Sequence, residues 1–522
     1  MIQLQAASRH DPLDWLAQAV ARQPERLFLA TPSGRRLSYS QMDQLANGFA
    51  AALAHRDTAR GDRVAVQIEK SPEAVALYLA CLKLGAVFVP LNTAYTLAEL
   101  EYFLRDSQPR VAVVQPHQFT AVRTLADGIG LAEVETLGIQ GDGSLPELAA
   151  TAKPIPSQSE ISQSGTGDPS ALAALLYTSG TTGRSKGAML SRGNLASNAE
   201  TLAHAWRFGT NDVLLHALPI FHVHGLFVAI NTVLASGASL LFTGKFDPVE
   251  ILGLLSNATV MMGVPTYYTR LLSLPGLTRS SVRNMRLFVS GSAPLLAETH
   301  REFRERTGHA ILERYGMSET LMNTSNPYDG ERVPGSVGPP LSGISVRIAD
   351  PESGEPTTEP DAIGMIEVRG PNVFSGYWRM PEKTATEFRS DGYFITGDLG
   401  KIDARGYVHI VGRGKDLIIT GGYNVYPIEV EAEIDALPGV VESAVIGVPH
   451  PDFGEGVTAV VVVKPGVMFD EVAMRRSLEQ RLAKFKLPKR ILVVEQLPRN
   501  TMGKVQKNQL RHSYGQLYQS ER

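Results

Sequence analysis

The residues with the clearest chemical purpose are Tyr177 to Gly187, reading YTSGTTGRSKG. The stretch holds five Ser/Thr hydroxyls, three glycines and two cations. An apolar run, Ala171 to Leu176, leads directly into it and reads as a buried strand. Glycines let backbone N–H groups turn toward an anion, hydroxyls add donors, and Arg184 and Lys186 add charge, so the loop is suited to holding phosphate. It is not the Gly-x-x-x-x-Gly-Lys-Ser/Thr loop of P-loop NTPases, because Ser185 precedes Lys186 rather than following it. A flexible Ser/Gly linker would be polar on both sides. Here an apolar strand lies upstream, and Ser191-Arg-Gly-Asn-Leu195 downstream looks like a helix start.

A second group of motifs supplies what a nucleotide reaction needs. Arg314-Tyr-Gly-Met-Ser-Glu319 offers a flat aromatic for a purine and a hard carboxylate for Mg²⁺. Phe288-Val-Ser-Gly-Ser-Ala-Pro294 runs a strand into a small-residue turn that permits close backbone approach. Tyr393-Phe-Ile-Thr-Gly-Asp398 and Gly412-Arg413 place a carboxylate and a cation where they could meet ribose hydroxyls. Pro498-Arg-Asn-Thr-Met-Gly-Lys504 ends on a lysine.

In this order and spacing, from about Trp15 to Lys507, these motifs resemble the adenylate-forming superfamily of acyl-CoA synthetases, luciferases and peptide-synthetase adenylation domains. The resemblance implies ATP, Mg²⁺ and coenzyme A as reactants and cofactor. It assigns the phosphates to Thr178, Ser179, Gly180, Thr181, Thr182, Gly183 and Lys186. Adenine and the α-phosphate fall to Gly291, Ser292, Ala293, Tyr315, Gly316, Met317 and Ser318. It assigns the metal to Glu319, ribose to Asp398 with Arg413, and the pantetheine channel to the Gly421-Gly422 loop, where Tyr423 departs from the usual pattern. Lys504 then bridges carboxylate and α-phosphate, so Lys504, Glu319 and Thr178 are the implied catalytic residues. Two anions must approach each other, and an ammonium placed between them lowers that barrier. Lys415 stands where the family turns its small domain between half-reactions. Lysines in the position of Lys504 attract acetylation in this family, so a lysine acetyltransferase is an implied partner.

The acid is addressed by His224 in Pro219-Ile-Phe-His-Val-His-Gly225, by Arg270 in Gly263-Val-Pro-Thr-Tyr-Tyr-Thr-Arg270, and by Arg314. A guanidinium beside an acyl pocket needs a partner, since burying it unpaired costs several kcal/mol. Glu313 is one candidate; the second carboxylate of a diacid is the other, because a guanidinium fork matches a carboxylate. Arg270, Arg314, Met317 and Asn323-Thr-Ser-Asn326 resemble the malonyl-CoA synthetase branch, which implies malonate, and methylmalonate in some members. The alternatives are another short or dicarboxylic acid such as oxalate, a medium-chain acid, or a stand-alone adenylation domain loading a carrier protein. A non-catalytic nucleotide sensor sits poorly with Glu319, Asp398 and Lys504 together.

The elements that must position these groups follow from composition and patterning. The chain has 522 residues, 43% hydrophobic and 20% charged, with net charge −3. That composition suits a globular enzyme, and the charge gives no reason to expect nucleic acid or an anionic membrane. One cysteine, Cys81, excludes an intrachain disulfide and lies in an apolar stretch. No signal pattern or long apolar run is evident, so a cytoplasmic location is expected. Arg63–Gln67, Val111–Val114, Val213–His216, Ser239–Phe242, Val260–Met262 and Leu287–Val289 read as strands alternating with helices such as Ser71–Leu84, a pattern of parallel sheets. Residues 351 to 411 read as β-rich, and residues 417 to 522 as a compact unit with strands at Val441–Ile446 and Thr458–Val463 and a helix over Val472–Ala483. The expected fold is α/β with a β-rich subdomain: a large N-terminal domain of stacked α/β subdomains over 1–412 and a small mobile α+β C-terminal domain over 413–522.

Overall fold

The computed structural model describes residues 11–153, 168–178, 185–421, 423–466, 469–500 and 503–518. It divides into two compact units. The first comprises residues up to Ser345 together with Val368–Phe394, and the second Val346–Glu367 with Ile395 onward.

The first unit contains two mostly parallel sheets. One has six strands in the spatial order Glu133–Thr136, Val111–Val114, Arg63–Gln67, Val87–Pro90, Leu172–Thr178 and Lys186–Ser191. The other has eight and runs from Leu321–Ser325 through Leu312–Met317, Leu287–Ser290, Val260–Gly263, Val213–His216 and Ser239–Phe242 to Leu27–Ala30 and Arg36–Ser38. Their central strands are apolar runs buried along nearly their whole length, as parallel strands covered on both faces must be. The helix Pro72–Leu84 is buried almost throughout, capped by the Ser71 side chain on the Ala74 N–H and ended by Gly85 at φ +68°. Cys81 lies fully inside it.

The second unit contains a five-stranded sheet built on Ser345–Ala349, Pro356–Thr357, Gly364–Arg369, Phe394–Ile402 and Val408–Arg413. It also contains a sheet in which the long hairpin Val440–His450/Gly454–Val463 carries Ile418–Thr420, Tyr423–Val425 and Arg490–Val493. Compactness therefore groups most of the β-rich segment with the C-terminal residues, whereas the sequence reading closed the large domain at 412. Packing and pivoting are different properties: a strand can belong to a compact unit and still end at a pivot. The helix expected over Val472–Ala483 spans Glu471–Glu479, started by the Asp470 side chain on two backbone N–H groups. Among the described residues no helix is long and apolar enough to cross a membrane.

Candidate active site

In the first unit the phosphate loop joins two antiparallel strands, Leu172–Thr178 and Lys186–Ser191, with Thr178 opposite Lys186. The expected helix follows the second strand, with Ser191 as its cap. Ser179, Gly180, Thr181, Thr182, Gly183 and Arg184 lie outside the described residues. Both roots of the loop are described, and they are tied down. Thr178 Oγ1 donates to Glu319 Oε1 at 3.2 Å. Lys186 is buried, pairs with Glu387 Oε1 at 3.1 Å and lies 4.1 Å above the Tyr377 ring.

Glu319 sits in the turn between Leu312–Met317 and Leu321–Ser325, a hairpin with a bulge at Tyr315/Gly316. A Cβ on Gly316 would fall 1.9 Å from the Leu321 carbonyl oxygen, so only glycine closes this hairpin. Tyr315, Gly316, Met317 and Ser318 are partly exposed, while Glu319 is buried. Its hard oxygens suit Mg²⁺, which keeps waters and substrate phosphates as its other ligands and needs few protein carboxylates. Tyr377 and Glu387, absent from the sequence reading, belong to this cluster. The Tyr377 hydroxyl is 3.1 Å from Glu319 Oε1 and 2.7 Å from Glu387 Oε2.

The acyl side is built on the parallel pairing of Leu287–Ser290 with Leu312–Met317, which sets Ser290 opposite Glu313. Neighbouring strand residues face opposite ways, so Glu313 and Arg314 part company. Glu313 accepts from the Gly335 N–H at 3.3 Å, and burial pushes its carboxyl up to about 8. It is not Arg314's partner. Arg314 is 3% exposed, and its Nε and Nη2 have no hydrogen-bond partner. Desolvation pulls its guanidinium down to about 9, with Tyr268 opposing. The guanidinium lies over Gly291, where a Cβ would come 2.3 Å from Arg314 Cζ.

The next residue, Ser292, is held at φ +72°, a conformation that non-glycine residues seldom adopt and that clusters at functional sites. Ser292 Oγ lies 3.4 Å from His224 Nδ1. His224 is fully buried and its Nε2 has no partner; desolvation first and Arg314 second hold the ring neutral. The structure thus gathers Arg314, Gly291, Ser292 and His224, with Ala293 following in the same partly exposed turn. Arg270 is exposed on helix Pro265–Leu272, next to Tyr267, and makes no ion pair among the described residues.

In the second unit Asp398 and Arg413 face each other across a strand pair and form an ion pair of 2.8 Å. The Lys504 N–H donates to Asn500 Oδ1 at 2.9 Å. The residue is solvent-accessible, yet its ammonium is crowded and falls to about 8, first by desolvation, then by Arg413, with Asp398 and Asp416 opposing. Lys415 is exposed and also lowered, by desolvation and Arg413. Gly421 takes φ +57° with its N–H on the Phe453 carbonyl. Gly422 lies outside the described residues.

Comparison with known proteins places these features in context. The signature of the family described as AMP-binding enzyme matches residues 16–378, and that of the AMP-binding enzyme C-terminal domain matches residues 429–504. A malonate–CoA ligase from Mus musculus is 38% identical, covering 84% of this chain and 78% of the relative. A feruloyl-CoA synthase from Amycolatopsis is 36% identical, covering 92% and 95%. The crystal structure of ATP-bound MatB from Rhodopseudomonas palustris superposes with a TM-score of 0.92 at 57% identity, covering 98% of this chain and all of that one.

Proposed function

The chain belongs to the AMP-binding enzymes, as an AMP-forming acyl-CoA synthetase that uses ATP, Mg²⁺ and coenzyme A, and we propose that its acid is malonate. The observation that carries this reading is the buried Arg314 guanidinium with two unpartnered nitrogens beside His224. Among these curated relatives sequence identity does not choose the acid, since ligases named for malonate, ferulate and sulfoacetate all lie between 34% and 38% identity. A cation without a carboxylate does choose. A diacid brings a second carboxylate that cancels the desolvation cost, whereas acetate, butyrate or a neutral acyl tail leaves the guanidinium unsatisfied.

In the first step a malonate carboxylate oxygen attacks the α-phosphorus of ATP, giving malonyl-AMP and pyrophosphate. In the second the thiol of coenzyme A attacks the acyl carbon of that mixed anhydride, giving malonyl-CoA and AMP. Arg314, with Arg270 assigned to the same end, binds the distal carboxylate, and His224 lines the pocket. Methylmalonate is an expected second substrate. Tyr315 and the Gly291–Ala293 turn receive the adenine, Gly316 to Ser318 the α-phosphate side, and Asp398 with Arg413 the ribose. Thr178, Lys186 and the loop between them receive the β- and γ-phosphates. Mg²⁺ held at Glu319 offsets the charge of the phosphates.

Lys504 is assigned to hold the reacting carboxylate against the α-phosphate, with Lys415 as the pivot between half-reactions and Gly421-Gly422 lining the thiol channel. Acetylation of Lys504 by a lysine acetyltransferase removes that cation and stops adenylation, which mass spectrometry paired with rate measurement checks.

The test is pyrophosphate release across a panel of acids. Malonate should exceed acetate, propionate and butyrate by about 10³-fold or more in kcat/KM. A monoacid that outruns malonate overturns the assignment.

A further inference from the structure

Lys186 and Glu319 are both expected at the phosphates, yet each is tied to residues from a segment with no assigned part in the reaction. Residues 375–378 add themselves to the strand Lys186–Ser191. The Ser375 N–H donates to the Met189 carbonyl at 3.0 Å, the Met189 N–H to the Gly376 carbonyl at 3.0 Å, and the Trp378 N–H to the Gly187 carbonyl at 2.8 Å. Gly376, at φ +128°, makes this approach, and a Cβ there would fall 2.5 Å from Thr384 Cγ2. Thr384 in turn accepts from the Tyr377 N–H at 2.9 Å. The short helix Pro381–Thr386 then delivers Glu387 back onto Tyr377.

These contacts form one chain of charge. Glu387 Oε1 takes the ammoniums of Lys186 at 3.1 Å and Lys383 at 2.7 Å, and Oε2 takes the Tyr377 hydroxyl at 2.7 Å. The same hydroxyl reaches Glu319 Oε1 at 3.1 Å, where Thr178 also donates. A hydroxyl has one proton, so the two carboxylates compete for it, and the clamp of Lys186 and Lys383 on Glu387 bears on which of them receives it. The Lys186 ammonium, packed on the Tyr377 ring, holds that ring from its face while Glu387 holds it by its hydroxyl.

We propose that Tyr377 and Glu387 are positioning residues for Mg²⁺·ATP: Glu387, clamped by Lys186 and Lys383, aims the Tyr377 hydroxyl, and that hydroxyl with Thr178 fixes the Glu319 carboxylate in the orientation the metal requires. Lys186 thereby acts on the metal through Glu387 and Tyr377 as well as through its own charge. The proposal rests on the reading of Glu319 as the metal carboxylate. Groups that orient a metal's ligand typically change metal affinity by about 10- to 100-fold when removed.

The experiment is calorimetric titration of ATP into full-length protein, once with Mg²⁺ and once with EDTA, for wild type, Tyr377→Phe, Glu387→Gln, the double variant and Glu319→Gln. Tyr377→Phe keeps the ring under Lys186 and removes only the hydroxyl. It should weaken Mg²⁺·ATP binding by about tenfold and leave ATP binding in EDTA unchanged. Glu387→Gln should weaken Mg²⁺·ATP binding to a similar extent, and the double variant should be no weaker than the poorer single, because both substitutions cut one chain. Equal weakening with and without metal, additive losses, or Mg²⁺·ATP binding unchanged in Tyr377→Phe while Glu319→Gln loses it, overturns the positioning role alone. Metal dependence that survives in Glu319→Gln overturns the underlying assignment of Glu319.

Discussion

Two cations of the first unit are buried to nearly the same degree and are treated in opposite ways. Lys186, 6% exposed, has a carboxylate, an aromatic face and a second lysine arranged about the shared acid. Arg314, 3% exposed, has an unpartnered Nε and Nη2 and a neutral histidine for company. The first has a carboxylate partner within the protein, and the second has two nitrogens without one. A folded chain keeps an uncompensated buried charge at a cost in stability, so the difference separates a cation whose charge the fold already balances from one whose charge the fold leaves unbalanced.

The sharpest break of that comparison is Arg314→Met. It should lower kcat/KM for malonate by about 10³-fold or more, because the distal carboxylate then loses the buried guanidinium beside His224. The same variant should melt at the wild-type temperature or above it, since an unpaired buried cation has been replaced by an apolar chain of similar length. Malonate should raise the melting temperature of wild type and not of the variant. Retained malonate activity with a lowered melting temperature would make Arg314 a structural residue and end the contrast with Lys186.

Glu387→Gln probes the other side. It leaves the Lys186 ammonium with the Tyr377 ring and an amide, and urea unfolding should show a loss of about 2–3 kcal/mol. That is below the ~3–5 of fully enclosed pairs, because Glu387 keeps some solvent contact. Its carboxyl is held below the ordinary value: Lys383, Tyr377 and Lys186 together outweigh the desolvation that would raise it. A carboxylate of lowered folded pKa contributes stability above its unfolded pKa and loses it as pH falls through the folded one. The gap between wild type and Glu387→Gln should therefore close in acid. A gap that does not change with pH would show that the pair's charge is not what stabilises it.

Much of the fold was legible because parallel strands buried on both faces leave short apolar runs in the sequence. Arg63–Gln67, Val111–Val114, Val213–His216 and Ser239–Phe242 appear in the structure with the bounds their apolar runs suggested. The strand Lys186–Ser191 was not legible as a strand. It begins inside the phosphate motif, and beside its hairpin neighbour Leu172–Thr178 its other partner, residues 375–378, comes from far along the chain. Tyr377 and Glu387 were missed for the same reason, since nothing local marks a residue whose partner lies 201 positions away. Arg314 drew notice through its place beside Tyr315. Whether Glu313 neutralised it was a question of strand faces, and the register of Ser290 with Glu313 settles it.

Arg270 tests how far the waiting site extends. It is exposed, so Arg270→Gln should leave unfolding free energy within about 0.5 kcal/mol of wild type. If it contributes to the distal carboxylate, KM for malonate should rise by about tenfold with a smaller change in kcat. An unchanged KM would confine recognition of the second carboxylate to Arg314 and His224.

The second unit carries a third kind of cation, accessible to solvent yet weakened. Lys504 is lowered to about 8 by desolvation and by Arg413, with Lys415 adding to the repulsion and Asp398 and Asp416 opposing it. The ammonium is present below that value and lost above it, whereas an ordinary lysine stays charged to about pH 10. If Lys504 must be charged to bring carboxylate and phosphate together, kcat/KM for pyrophosphate release should fall as pH rises through about 8, since this quantity reports the free enzyme. The fall in kcat should come at higher pH, because two bound anions beside the amine favour its charged form. Lys504→Arg should lose the alkaline fall while keeping part of the rate, and Lys504→Gln should be slow at every pH. An alkaline limb that persists in Lys504→Arg would trace the titration to another group and leave Lys504's depressed basicity without a role in adenylation.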